Sequence, residues 1–242
     1  MTPLVMVHGF MGGSAQWNGQ RAVFEDRREV IALDLPGFGA AADLPEIDSI
    51  EGFADWVIAT LRAKGVTRYH LLGHSMGGMI AQEIARKDRE RIDRLVLYAT
   101  GASGVLPGRF ETIEQSKARA VCDGARATAR RIAATWFLDG EAAPGYSACA
   151  QIAEQAPLGA VLAGLDAMKA WSGTAALKDV TPETLIIWGD RDRTYAWEQT
   201  HQLWRGIPKA SLAVVPGCAH AVHLEKVSFF NALLTGFIDG AA

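Results

Sequence analysis

Six short, nearly unbroken apolar runs rich in β-branched residues recur along this chain, at residues 4–7, 30–33, 69–72, 95–98, 185–188 and 212–215. A strand with one face in water alternates polar and apolar residues, whereas a strand covered on both faces stays apolar throughout. Helical patterns lie between several of the runs. In residues 49–64, Ile50, Phe53, Ala54, Val57, Ile58 and Leu61 fall at helical spacing, with Glu51 in the first turn. Residues 77–87 and 197–205 read similarly. Strand alternating with helix predicts an α/β fold: a mostly parallel, doubly wound sheet joined by right-handed crossovers. At 242 residues there is room for one well-buried domain, or for one domain with a sizeable insertion.

One interval breaks the rhythm. Residues 105–180 are rich in Ala, Arg, Glu and Gln, with breaks near Gly124, Pro144 and Pro157. A structureless loop of that length is foreign to compact domains. The segment therefore predicts several helices over one edge of the sheet, dividing the chain into a core of 1–104 and 181–242 and an insertion of 105–180.

The run at 69–72 leads into Gly73-His-Ser-Met-Gly-Gly78 and then a helical pattern. This is G-x-S-x-G in the context it needs. The serine must sit on a strained turn that lifts its hydroxyl out of the sheet, and Gly73 and Gly77 keep side chains from colliding at the crossing. A serine hydroxyl is a weak nucleophile without a base. Of six histidines, His70 lies inside a strand, His74 is too close in sequence to turn back on Ser75, and His201 sits mid-helix. His220, in the loop after the last run, reaches the carboxyl edge of the sheet, where ligands of open α/β sheets bind. His223, three residues on, is its competitor. The base needs a carboxylate to fix its tautomer. The run at 185–188 ends in Gly189-Asp-Arg-Asp192; Asp190 can cap the turn, and Asp192 is better placed to face His220. The first run ends in the glycine-rich, flexible loop His8-Gly-Phe-Met-Gly-Gly13. From there the Phe10 amide, with that of Met76, can serve an oxyanion hole.

Other chemistries find little support. The net charge of -3, with no basic stripe, argues against nucleic-acid binding. The Arg-rich stretch 119–131 reads as a solvated helix face. Cys122, Cys149 and Cys218 are an odd number without CxxC spacing, which argues against a disulfide framework or zinc. No apolar stretch is long enough to span a membrane, and no signal-peptide pattern opens the chain, so a reduced cytoplasmic setting is expected. Gly37-Phe-Gly-Ala-Ala-Ala42 follows a turn rather than a strand, so it does not predict a dinucleotide site. No cofactor and no metal are expected.

The motifs together resemble the α/β-hydrolase family, over essentially the whole chain. Asp34-Leu-Pro-Gly-Phe-Gly39 resembles its D-x-P-G-x-G turn, and Gly217-Cys-Ala-His220 with Glu225 its histidine loop. The resemblance implies catalytic roles for Ser75, Asp192 and His220, oxyanion donation by Phe10 and Met76, and a helical cap in place of the insertion. His74 and Trp171 are pocket candidates, with Trp17 a further one. This chain departs from the pattern in lacking the family's first two strands, and in carrying Ala196 and Val227 where prolines are common. The elbow resembles those of esterases and enol-lactonases, which implies hydrolysis of a small, fairly hydrophobic ester or lactone. Alternatives on the same triad are carbon–carbon bond hydrolysis or a lyase, and a non-catalytic ligand-binding role.

Overall fold

A computed structural model of the chain describes residues 1–106 and 111–240. Six parallel strands form one sheet in the order β2-β1-β3-β4-β5-β6. They are β1 (Leu4–Val7), β2 (Val30–Leu33), β3 (Tyr69–His74), β4 (Ile92–Tyr98), β5 (Glu183–Gly189) and β6 (Ala210–Val215). The order runs outward from β1 in both directions, which places a topological switch point between β1 and β3. In such sheets a crevice opens there at the carboxyl ends.

Alternation along each strand divides the core between two faces. Val5, Val7, Leu71, Leu95, Leu97 and Ile186 point to one face. There they meet α2 (Ile50–Ala63) and α3 (Met76–Lys87). Leu4, Met6, Leu72, Val96, Leu185 and Ile187 point to the other. Here they meet α1 (Asn18–Phe24) and the C-terminal α10 (Val227–Asp239). Helix α2 shows why the local sequence suffices. The Ser49 hydroxyl caps it by accepting the Gly52 N–H, and its six apolar residues at helical spacing are all buried. The cap contributes about 1 kcal/mol, and each large buried side chain about 1.5–3 kcal/mol. Strand β6 departs from the expected two-sided burial. It is a sheet edge, and Val214 remains 43% exposed.

Between β4 and β5 lie α4 (Ile113–Asp123), α5 (Ala125–Thr135), α6 (Tyr146–Ala153) and α7 (Leu158–Ala170). Gly124, at φ 83°, separates α4 from α5, and Pro157 immediately precedes α7. Their apolar faces, including Ile113, Ile132, Trp136 and Leu165, join the α2–α3 core without a break. Of the anticipated insertion, residues 107–110 lie outside the described residues. After β5 come α8 (Trp197–Gly206), the short α9 (Val222–Glu225) and α10. No described helix is long and apolar enough to cross a membrane.

Candidate active site

Strand β3 is buried at every position, and the chain reverses from it into α3 through Ser75. Ser75 has φ 55° and ψ −119°, a backbone conformation that costs an L-residue about 1–3 kcal/mol. Its neighbours impose it. The Ser75 N–H donates to the Tyr98 carbonyl (3.0 Å), and the Ser75 carbonyl accepts from the Gly78 N–H (2.8 Å) and the Thr100 hydroxyl (2.7 Å). The two glycines of the pattern lie where backbones touch. A Cβ on Gly73 would stand 2.2 Å from the Gly77 carbonyl oxygen, and one on Gly77 2.4 Å from that of Val7.

The loop after β1, read from its glycines as flexible, is packed and hydrogen-bonded along its length. All of residues 8–13 are buried, and partners from the chain after β2 tie the segment down. His8 donates from Nδ1 to the Gly9 carbonyl (2.8 Å), and its Nε2 accepts the Leu35 N–H (3.0 Å). That pattern requires a neutral ring, and burial accordingly lowers its pKa. Asp34, first residue of the D-x-P-G-x-G turn, accepts the Ser14 N–H (2.9 Å) and hydroxyl (2.6 Å). Phe10 is thereby held against Phe38, ring centroids 5.8 Å apart.

Asp192 and Asp190 part company after β5. Asp190 accepts the Gly217 N–H (2.8 Å), a turn contact. Asp192 accepts the Thr194 and Tyr195 N–H groups on Oδ1 (2.7 and 3.2 Å), and its Oδ2 lies 2.9 Å from Nδ1 of His220. The carboxylate is thus aimed by the backbone and the imidazole by the carboxylate. His223, the competing histidine, is buried against Trp17, 4.5 Å between ring centroids. Burial, then the proximity of His220, pushes its pKa down to about 3. His70 is buried in β3, while His201 is exposed on α8.

Ser75 and His220 line one cavity of about 30 Å³. Its sheet-side wall includes Phe10, His74 and Gln16; its helical wall includes Ile132, Trp136 and Met168. Met76, first residue of α3, follows Ser75 directly and is fully buried. Burial holds the His74 pKa well below its ordinary value, helped by the nearby His220 and His223. Trp171 does not line this cavity, which corrects its candidacy. A buried indole N–H needs an acceptor, and Glu83 on α3 supplies one at 3.0 Å, drawing the ring into a separate void of about 10 Å³. Trp17 is likewise in the core, packed on His74 and His223. Gln16 was not anticipated, because a glutamine behind a glycine-rich loop carries no local signal. Among the described residues its Nε2 meets the Cys149 thiol at 3.5 Å, a weak acceptor. Among the described residues, no group of three or more His, Cys, Asp or Glu side chains converges as a metal cluster would. The three cysteines are free thiols.

A strained serine at a strand-to-helix turn, with a carboxylate-bound imidazole beside it, recurs in one broad family, and that family's model, the alpha/beta hydrolase family, matches residues 4–232. The chain belongs to this family. Among alpha/beta hydrolase relatives, it is 28% identical to the 2-hydroxymuconate semialdehyde hydrolase of Pseudomonas sp. (strain CF600), over 99% of this chain and 87% of that one. It is 27% identical to a dihydrolipoyllysine-residue acetyltransferase component of an acetoin cleaving system from Pseudomonas putida, covering 98% of this chain. There it spans only 63% of the relative's length. A thermophilic esterase from Thermogutta terrifontis superposes with a TM-score of 0.89 at 26% identity, over 99% of this chain and 90% of that one.

Proposed function

We propose that the protein is a serine hydrolase of small carboxylic esters or lactones. One observation carries the reading: Ser75, on its strained turn, shares a cavity with a histidine whose far nitrogen is bound to a buried carboxylate. The Nδ1–H of His220 is committed to Asp192, which leaves Nε2 as a lone pair. That lone pair takes the Ser75 proton as Oγ attacks the acyl carbon. Charge then develops on the carbonyl oxygen, and the amides of Phe10 and Met76 receive it, each such donor supplying about 3–4 kcal/mol of transition-state stabilisation. Asp192 stabilises the imidazolium, which protonates the leaving alcohol. Water then attacks the acyl-enzyme by the same route. The scheme needs no cofactor.

In this reading, residues 105–180 act as a cap over a core of 1–104 and 181–242. The cavity is small, about 30 Å³, and Ile132 and Trp136 line it with apolar side chains, which favours small, apolar substrates. Free thiols suit a reducing compartment, and we place the enzyme in the cytoplasm.

The likeness to a 2-hydroxymuconate semialdehyde hydrolase supports a second reading, carbon–carbon bond cleavage by the same residues. Wild type and Ser75→Ala are to be assayed on short-chain aryl esters, small lactones and a vinylogous diketone from aromatic ring cleavage. Turnover of esters or lactones that falls about 10⁴- to 10⁶-fold in Ser75→Ala is the expected result. Activity retained by Ser75→Ala would falsify the assignment, and turnover of the diketone alone would favour the second reading.

A further inference from the structure

Behind His220, away from Asp192, lies a buried set of polar groups that the proposed chemistry does not use. The Tyr98 hydroxyl, at the carboxyl end of β4, stands 2.7 Å from the His220 carbonyl oxygen. It also lies 3.2 Å from the backbone nitrogen of His223 and 3.1 Å from Nδ1 of the same residue. Nε2 of His74 approaches the His220 carbonyl from another side, at 3.3 Å. Tyr98, His74, His220 and His223 are all at least 96% buried, so no bulk water competes for these contacts.

Counting protons fixes every direction. A carbonyl oxygen only accepts, so the single Tyr98 proton points at His220, and the proton of His74 is on Nε2. The Tyr98 oxygen then accepts twice, from the His223 backbone N–H and from Nδ1–H of His223. The carbonyl of His220 therefore receives two donors that do not belong to its own loop, one from β4 and one from the elbow. Burial raises the Tyr98 pKa well above its ordinary value, while the His74 and His223 rings are held neutral. The arrangement of protons is thus unchanged across the range in which a hydrolase works.

We propose that Tyr98 is a positioning residue for His220. Asp192 fixes the ring through Nδ1, but a ring pivots on its backbone, and Tyr98 holds that backbone by the carbonyl. The same residue's own carbonyl accepts the Ser75 N–H at 3.0 Å. Tyr98 therefore touches the nucleophile with its main chain and the base with its side chain, and sets the separation between them. A hydroxyl in this place matters because proton transfer weakens steeply once donor and acceptor leave hydrogen-bond range. The proposal rests on the reading of His220 as the base.

The test is a double-mutant cycle on an aryl ester, with kcat and KM measured separately and folded protein quantified by circular dichroism. Tyr98→Phe is expected to lower kcat about 10- to 100-fold with KM within about two-fold, the pattern of an interaction that matters in the transition state. In a His220→Ala background there is no ring to position, so the same change should alter the residual rate less than about two-fold. An equal loss in both backgrounds shows a merely structural role and overturns the proposal, as does an unchanged kcat in the first. A His220→Ala protein with full activity instead sinks the reading of the base, which separates the two failures. Replacing Tyr98 by 4-aminophenylalanine keeps the ring and an N–H donor, and covers the case in which Tyr98→Phe does not fold. Its kcat should stay within about three-fold of wild type; a folded protein that loses about ten-fold or more refutes the role of the donor.

Discussion

On the sheet side of the cavity, backbone hydrogen bonds place the reacting groups: Ser75 between Tyr98, Gly78 and Thr100, and Asp192 between the amides of Thr194 and Tyr195. On the helical side, Ile132, Trp136 and Met168 meet the cavity with apolar atoms and are held by packing. The outer surface of that side carries ion pairs such as Arg126 with Glu154 and Lys117 with Asp166. Exposed pairs of that kind contribute about 0–1 kcal/mol each. The contrast is between a wall whose geometry is written into the main chain and a wall whose shape depends on exchangeable side chains. Chemistry should be intolerant of change on the first, and selectivity should be tunable on the second.

Asp192→Asn probes the first wall most severely. Oδ1 must keep accepting two backbone N–H groups, so the new amide nitrogen occupies the position that faces His220. It would donate to Nδ1, shifting the ring proton to Nε2, and the base would then face Ser75 with a proton already in place. A fall in kcat of about 10⁴-fold at neutral pH follows, with the fold intact. A loss under ten-fold would mean that the carboxylate does not set the tautomer.

Ile132→Ala probes the second wall. The side chain is buried on α5 and lines the cavity, so the change adds space where an acyl chain would lie. Each added methylene in an apolar pocket is worth about 1–3 kcal/mol of discrimination. The preference for hexanoate over acetate esters should rise about 10- to 100-fold, with acetate kcat within about three-fold of wild type. The fold should lose about 2–5 kcal/mol, measured by urea denaturation. Unchanged chain-length preference would place the acyl group elsewhere.

How far the sequence reveals each wall follows the same division. The centres of all six strands are legible as unbroken apolar runs, which burial on both faces explains for the four inner strands β1, β3, β4 and β5. The starts of β4, β5 and β6 are not: β4 opens with Ile92 followed by the charged Asp93 and Arg94, β5 with Glu183, and β6 with Ala210 and Ser211. The elbow is legible because Gly73, Ser75 and Gly77 meet within one turn. The anchoring of the loop after β1 is hidden, because its partners Asp34 and Leu35 stand 20 and 27 residues from the groups they bind. Tyr98 reads only as the last residue of an apolar strand, since its contact to His220 crosses 122 residues. Trp171 misleads for the same reason: its acceptor, Glu83, is 88 residues away. On the helical wall, helices and breaks can be read from Gly124 and Pro157, but which apolar residues turn toward Ser75 depends on how four helices pack.

Acid should expose the difference between the walls through stability rather than rate. All six histidines lie outside residues 105–180. His223 is the clearest case, buried among Trp17, His74, Tyr98, His220 and Phe230, with a pKa lowered to about 3 by burial and then by His220. The unfolded chain binds a proton there near pH 6.5, whereas the folded protein does so only near pH 3. The stability this represents is complete above pH 6.5 and drains away as pH falls through that window. Its slope is at most about 1.4 kcal/mol per pH unit. Urea denaturation at pH 7, 6, 5 and 4 should show stability falling with acid, and His223→Asn should flatten the fall by up to that amount. Equal slopes in the two proteins would mean that His223 can be protonated without unfolding, and that the network behind the sheet wall is looser than its distances indicate.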